Sequence, residues 1–293
     1  MSVLLTSLLF VGCSSDQVDN NLEPKEGLNI VTSFSIIDDI VSNIIGDRGT
    51  TSHIVPVNGK PEEYDPVNSD FQKVSDADVF FANGMEFEGW LTRVTNQVTD
   101  TPLVEVSEGV EKILLVGSED EYDPHAWLDV SNISIYVNNI VDTLIKLDPD
   151  GEAIYLENKE KYLNEIDELH NWILEETSKV ADENKIIVVS ENAFKYYGDA
   201  YGFKTDGIWE LNAHEEGTPG QISRIVDLVN DRDVRALFLE ITVDPRYMEQ
   251  ISSETGVEIK GTVYTDSIST TEDANSYIKI MEANTKAFVE GLK

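Results

Sequence analysis

The chain has a single cysteine, Cys13, in 293 residues. One thiol forms no intramolecular disulfide and builds no cysteine-rich zinc site. Basic residues are scarce as well: Lys and Arg number 21 against 56 Asp and Glu, a formal net charge of −35. A field of that sign repels phosphate backbones, which argues against a nucleic-acid partner, and it attracts cations. Net charge speaks to solubility and association more than to fold, and an acidic surface also suits high ionic strength, so cation capture has to be argued from a site. Beyond the first dozen positions there is no long apolar run, which excludes a multi-span membrane protein. Also missing are a G-x-S-x-G elbow, a Walker A loop, an H-E-x-x-H pair and a Rossmann glycine fingerprint. Asp148-Pro149-Asp150-Gly151 resembles part of a calcium loop, but Lys146 stands where its first ligand would be, so the stretch reads as a turn and helix cap.

What is present begins with an export signal. Residues 4–11 are nearly all apolar, yet too few to cross a hydrocarbon core of ~30 Å, which takes about 20 residues. The run ends at Gly12-Cys13-Ser14-Ser15-Asp16 and a polar stretch follows to about Gly27. This resembles a lipoprotein signal, with residues 1–13 ending at a lipidated Cys13 and 14–27 serving as a flexible tether. No Lys or Arg precedes the apolar run, and Phe10 stands where such signals usually carry Leu.

From residue 28 onward strand and helix patterns alternate. A β-rich run at 28–34 is followed by Ile36, Ile37, Ile40, Val41, Ile44 and Ile45 at helical spacing, stopping at Gly46. Strands are expected at 53–57, 79–82 and 103–106, and helices at 70–75, 90–98 and 131–147. Between 151 and 184 there is neither a strand signal nor, after Gly151, any Gly or Pro. The apolar spacing there predicts one linking helix of about 30 residues, about 45 Å long. The alternation then restarts, with strands at 186–190, 236–241 and 257–264 and helices at 193–201, 218–230, 245–255 and from 272. The expected fold is α/β: two Rossmann-like lobes, 28–150 and 185–293, with mostly parallel sheets joined by the linking helix. Ligands of such sheets bind at the carboxyl ends of the strands, so loops leaving strands are where chemistry is expected.

Four loops carry hard or borderline metal ligands. They are Gly59-Lys60-Pro61-Glu62-Glu63-Tyr64-Asp65-Pro66, Asp123-Pro124-His125-Ala126-Trp127-Leu128-Asp129, Val189-Ser190-Glu191-Asn192-Ala193-Phe194-Lys195-Tyr196-Tyr197 and Tyr264-Thr265-Asp266-Ser267. In this order, with a long helix between the second and third, they resemble the metal-binding solute-binding lipoproteins of ABC transporters for manganese, zinc and iron. The similarity runs from Asn29 to Leu292, and its most specific parts are the 123–129 stretch and Ile208-Trp209-Glu210-Leu211-Asn212 with Glu216-Gly217-Thr218-Pro219. The resemblance implies two lobes with one metal ion in the cleft between them. His125 matches the histidine of the family's D-P-H-x-W motif, Glu191 the ligand opening its x-A-F-x-Y-F segment, and Asp266 the aspartate of its T-D-S segment. At the fourth position the chain departs, because Glu62 stands where the family usually has a histidine.

One neutral imidazole and three carboxylates repel one another strongly without a cation, and a divalent ion removes most of that charge. Oxygen-rich ligand sets suit harder ions such as manganese, whereas zinc sites lean on His and Cys. The zinc-carrying relatives typically have a histidine at the Glu191 position, which adds to the manganese side. The Irving–Williams order nevertheless lets zinc bind as tightly in vitro.

The other histidines and aromatics have simpler expectations. His53 is a strand residue that could replace the missing imidazole, His170 a solvated helix residue and His214 a surface residue. Glu240, at a strand end, is a candidate for orienting a ligand, and the aromatics at 127, 196, 197 and 209 read as core. The implied function is an extracytoplasmic, lipid-anchored, monomeric receptor that hands a divalent ion, manganese favoured over zinc or iron, to a membrane permease with a separate ATPase. Two alternatives are a metal-dependent hydrolase using Glu62 or Glu191 as general base and a surface adhesion protein. The first would need an open coordination position for water, and no nucleophile motif accompanies it.

Overall fold

The computed structural model of the chain describes residues 27–211 and 217–293. The signal, the lipid attachment at Cys13, the tether and His214 therefore fall outside the described residues. In the first half, strands β1 (Leu28–Thr32), β2 (Gly49–His53), β3 (Val79–Ala82) and β4 (Leu103–Glu105) form one sheet in the order β2-β1-β3-β4. All its pairings are parallel. β3 reads Val-Phe-Phe-Ala and is buried along its whole length, the uninterrupted apolar pattern of a strand covered on both faces. Helix α1 (Ser35–Ile45) buries the isoleucine stripe seen in the sequence and is stopped by Gly46 at φ 58. Because β1 is flanked by β2 on one side and β3 on the other, the strand order reverses there. The carboxyl ends of β1 and β3 thus form the crevice where such sheets take ligands.

Helices α2 (Asn68–Ser75), α3 (Leu91–Gln97) and α4 (Ile133–Leu147) complete the first half. The linking helix α5 spans Glu152–Thr177, 26 residues, or about 39 Å at 1.5 Å per residue. It is shorter than the sequence pattern predicts. Past Thr177 the chain turns inward to bury Val180 and makes a short 3-10 turn at Asp182–Asn184. α5 packs on α1 and α4 from the first half and, from the second, on α6 (Lys195–Tyr201) and α9 (Tyr277–Leu292).

The second half has two parallel strand pairs, β5 (Ile186–Glu191) with β6 (Lys204–Trp209), and β7 (Leu237–Glu240) with β8 (Ile259–Val263). Between them run α7 (Pro219–Asp231) and α8 (Arg246–Thr255). β7 lies beside β5, but at its carboxyl end a side chain replaces the ladder. The Glu240 carboxylate accepts the amides of Ser190 and Glu191 at 2.8 and 2.9 Å.

Several boundaries differ from the sequence reading. The strand expected at 53–57 is β2, ending at His53, because the polar Gly-Thr-Thr-Ser run carries the ladder to β1. β6 gave no strand signal, since Lys, Asp and Gly interrupt it. Gly207 is needed there, because a side chain would collide with the backbone of Glu191 and Asn192. The helix expected from residue 272 is a 3-10 turn at Glu272–Ala274, and α9 begins only after the Ser276 side chain caps the amide of Lys279.

The halves do not have wholly separate cores. One apolar cluster runs from Ile30 in β1 to Leu292 in α9, and a smaller one, which includes Ile225 and Leu237, lies within the second half. Trp127 is the keystone of the larger cluster at the crevice. Fully buried, it packs on Phe34 and Phe87 with ring centroids 5.1 Å away in each case. Its indole N–H donates to the Thr265 carbonyl at 2.8 Å, and its own carbonyl accepts from Tyr277 Oη at 2.6 Å. Trp127→Ala is expected to lower the unfolding free energy by about 3–5 kcal/mol, read from denaturant titration; a loss well below that range would show that Trp127 does not hold the halves together.

Candidate metal centre

The crevice is built by loops. After β1 the chain enters α1 through Ser33 and Phe34, and after β3 it turns at Asn83 and Gly84. Asn83 Nδ2 donates to the Pro124 carbonyl at 3.1 Å, while its Oδ1 accepts from Tyr136 Oη at 2.6 Å. The 123–129 segment is thereby pinned over the switch point, and its short 3-10 turn Ala126–Leu128 aims His125 inward. The imidazole sits against Trp127 and Phe87, with centroids 5.3 and 5.6 Å away.

The orientation of that ring is fixed by Asp123, which is completely buried. One carboxylate oxygen, Oδ1, accepts from His125 Nδ1 at 2.7 Å and from the His125 amide at 2.9 Å. Nδ1 therefore carries the proton and Nε2 faces the crevice, the tautomer that a metal-binding imidazole needs. Nε2 lies 3.3 Å from Asp266 Oδ1 and 3.5 Å from Glu191 Oε1. Two donors about 2.1 Å from a shared ion stand roughly 3.0 to 3.4 Å apart, depending on octahedral or tetrahedral arrangement. Both separations are close to that spacing.

Asp266 follows β8 and is held by one oxygen only, Oδ2, which accepts from Thr265 Oγ1 at 2.8 Å and Thr242 Oγ1 at 3.2 Å. Its other oxygen, Oδ1, is buried with only the His125 Nε2 edge beside it, 3.3 Å away and outside good hydrogen-bond geometry, and Glu62 Oε2 is buried without a hydrogen bond. Leaving such acceptors unsatisfied is costly in a folded interior. Glu191 ends β5, where the Glu240 carboxylate grips its amide. Among the described residues no group of three or more His, Cys, Asp or Glu side chains stands in metal-holding geometry in this structure.

The electrostatics match this crowding. Burial pushes the Glu191 carboxyl up to about 8, Asp266 and Glu240 adding to the effect while His125 and Lys60 oppose it. Glu62 is pushed well above the ordinary range, first by burial and then by the charges of Asp266 and Glu191. Glu240 is raised to about 7 by burial, partly offset by the Ser190 and Glu191 amides. For His125 burial disfavours the charged ring, but Asp123 and Asp266 outweigh it and hold the ring well above its usual value. Asp123 is shifted the other way: His125 and Lys195 overcome its burial and lower it. The site as it stands retains protons that a divalent cation would displace.

Of the sequence candidates, His125, Glu191 and Asp266 converge, and the charges of Asp266 and Glu191 are felt at Glu62. Glu240 touches the backbone of Glu191. His53 does not converge: it pairs with Asp38 Oδ2 at 3.1 Å. His170 is not simply solvated, since its Nδ1 lies 3.1 Å from Tyr201 Oη. The aromatics at 127, 196, 197 and 209 are core residues as expected. Asp123, Lys195, Thr242 and Thr265 were given no role from the sequence. Of these only Asp123 has a local signal, an acid two positions before the candidate histidine.

The family model described as "Zinc-uptake complex component A periplasmic" matches residues 30–291. The manganese-binding lipoprotein MntA of Halalkalibacterium halodurans is 48% identical over 291 residues, covering 99% of this chain and 96% of its own. The manganese ABC transporter substrate-binding lipoprotein PsaA of Streptococcus pneumoniae is 36% identical over 300 residues, with 99% and 96% covered. Among solved structures, the periplasmic zinc binding protein TroA from Treponema pallidum superposes with a TM-score of 0.87 at 22% identity, covering 91% of this chain and 99% of that one. At that identity the likeness shows the fold. The Mn-bound periplasmic metal binding protein from Candidatus Liberibacter asiaticus gives a TM-score of 0.81 at 25% identity, with 91% and 100% covered.

Proposed function

The chain belongs to the family of zinc-uptake complex component A proteins, and from that premise we propose that it is a manganese receptor, held outside the membrane by a lipid on Cys13. It hands its ion to a membrane permease driven by a separate ATPase. It works as a monomer and performs no covalent chemistry, the ion being cargo. The observation that carries this reading is His125 Nε2 standing 3.3 Å from Asp266 and 3.5 Å from Glu191, on three loops that meet in one crevice. Two buried carboxylate oxygens without hydrogen bonds, on Glu62 and Asp266, support it further.

Glu62, Glu191 and Asp266 with His125 give an oxygen-rich set, which favours manganese over softer ions. The names of the relatives that span nearly the whole chain point the same way. Competition titration of the metal-stripped protein with Mn2+ and Zn2+ tests the choice. Glu62→Ala is expected to weaken Mn2+ binding at least about tenfold, roughly 1.4 kcal/mol. Glu62→His, which supplies a second imidazole, is expected to move the preference toward Zn2+. Unchanged Mn2+ affinity in Glu62→Ala would remove Glu62 from the ligand set.

A further inference from the structure

The carboxylate that sets the His125 ring is itself held from the opposite half of the molecule. Asp123 Oδ1 serves His125, while Oδ2 receives Lys195 Nζ at 3.1 Å. Lys195 lies in the first turn of α6, buried at 8% exposure, and its ammonium also reaches Glu210 Oε2 at 2.7 Å and the Asn192 carbonyl at 2.5 Å. All three of its protons thus have acceptors. Glu210 is in turn fixed by Asn192 Nδ2 at 2.7 Å and accepts the Val116 amide, from the first half, at 3.3 Å. The next residue strengthens the same seam: Tyr196 Oη donates to the Asp123 carbonyl at 3.1 Å and accepts the Ile113 amide at 3.2 Å.

We propose that Lys195 is a positioning residue that couples apposition of the two halves to retention of the ion, by neutralising from the second half the buried Asp123 carboxylate that sets the His125 ring in the first. The inference rests on His125 being a ligand. Without Lys195 the fully buried Asp123 carboxylate keeps only His125 as its partner, and much of its charge goes uncompensated once that ring is neutral and holds the ion. Asp123 then has to find another partner or rotate toward solvent, and either movement takes the Nδ1 acceptor away from His125. Separation of the α6 end from the 113–125 segment therefore loosens a ligand on the far side of the crevice. Lys195 acts through Asp123, whose Oδ2 it holds, and need not touch the ion. Ion release and opening of the seam become one event.

The test is the rate of Mn2+ release, followed by stopped-flow mixing with excess chelator well below the melting temperature, for wild type, Lys195→Met and Tyr196→Phe. Removing the direct outer partner of a metal-binding histidine, here Asp123, typically costs about 10- to 100-fold, and Lys195→Met, one residue further out, is expected to speed release by up to about tenfold. Tyr196→Phe deletes a hydrogen bond from the same seam without uncovering the carboxylate, so it is expected to lower the melting temperature and to speed Mn2+ release clearly less than Lys195→Met does. If Lys195→Met melts lower but releases at the wild-type rate, Lys195 is only a structural ion pair and the proposal is overturned. Equal acceleration by both variants overturns it too, because general loosening of the seam would then suffice. Should Lys195→Met not fold, Lys195→Gln, neutral and still able to donate to Asp123, carries the same expectation and the same overturning result. A wild type that retains no Mn2+ would instead refute the receptor reading, a distinct outcome.

Discussion

His125→Ala is expected to abolish the thermal stabilisation that Mn2+ gives the wild type. An ion present at 100 times its dissociation constant stabilises the folded state by about 2.7 kcal/mol. For a chain of this size that amounts to roughly 5 °C in melting temperature. His125 contributes the site's only nitrogen among the candidate ligands, and its Nε2 is the point on which Glu191 and Asp266 converge. Its removal leaves three carboxylates crowded around a void, held by no preoriented donor. Without the ion His125→Ala is expected to fold, though less stably, because Asp123 keeps Lys195 as partner and the ring's packing on Trp127 and Phe87 is lost. A normal Mn2+ shift in a folded His125→Ala protein would move the site elsewhere.

The second large effect is on pH. Glu191 at about 8, Glu240 at about 7 and the strongly raised Glu62 all hold protons in the folded state that the unfolded chain has already released. His125, raised by Asp123 and Asp266, does the same above its ordinary range. Each group's contribution is fully present below its unfolded value and is lost as pH rises through its folded one. All four act in the same direction, so the metal-free protein is expected to melt several degrees lower at about pH 8 than at about pH 6. Asp123 is lowered and acts oppositely, but its stabilisation is lost only on acidification below the carboxylate range. Ion binding requires deprotonated ligands, so the stabilisation by Mn2+ grows over the same interval. The melting temperatures of metal-free and Mn2+-loaded protein are therefore expected to diverge as pH rises. If the two curves run parallel, the ion does not displace protons from these groups.

Parts of this arrangement were legible in the sequence because their cause is local. The isoleucine spacing of α1, its stop at Gly46 and the apolar run of β3 each follow from periodicity. The loops that bring His125, Glu191 and Asp266 together could be picked out because these residues stand in short motifs where polar residues follow strands or precede a helix turn. What was not legible depends on distant partners. β6 is polar and broken by Gly207, and it is a strand only because β5 offers it a ladder. α5 ends early because Val180 finds burial after a turn. Lys195 reads as an ordinary helix charge until Asp123, 72 positions earlier, is brought to 3.1 Å from it. The same holds for Glu240, whose link to Glu191 comes from β7 lying beside β5.

The most direct measurement is metal content after equilibrium dialysis of the soluble chain, residues 27–293, against micromolar Mn2+, compared with His125→Ala under the same conditions. One ion per chain in the wild type and none in the variant is the expected result. An ion retained equally by both, or by neither, would contradict a cargo site built on His125, Glu191, Asp266 and Glu62.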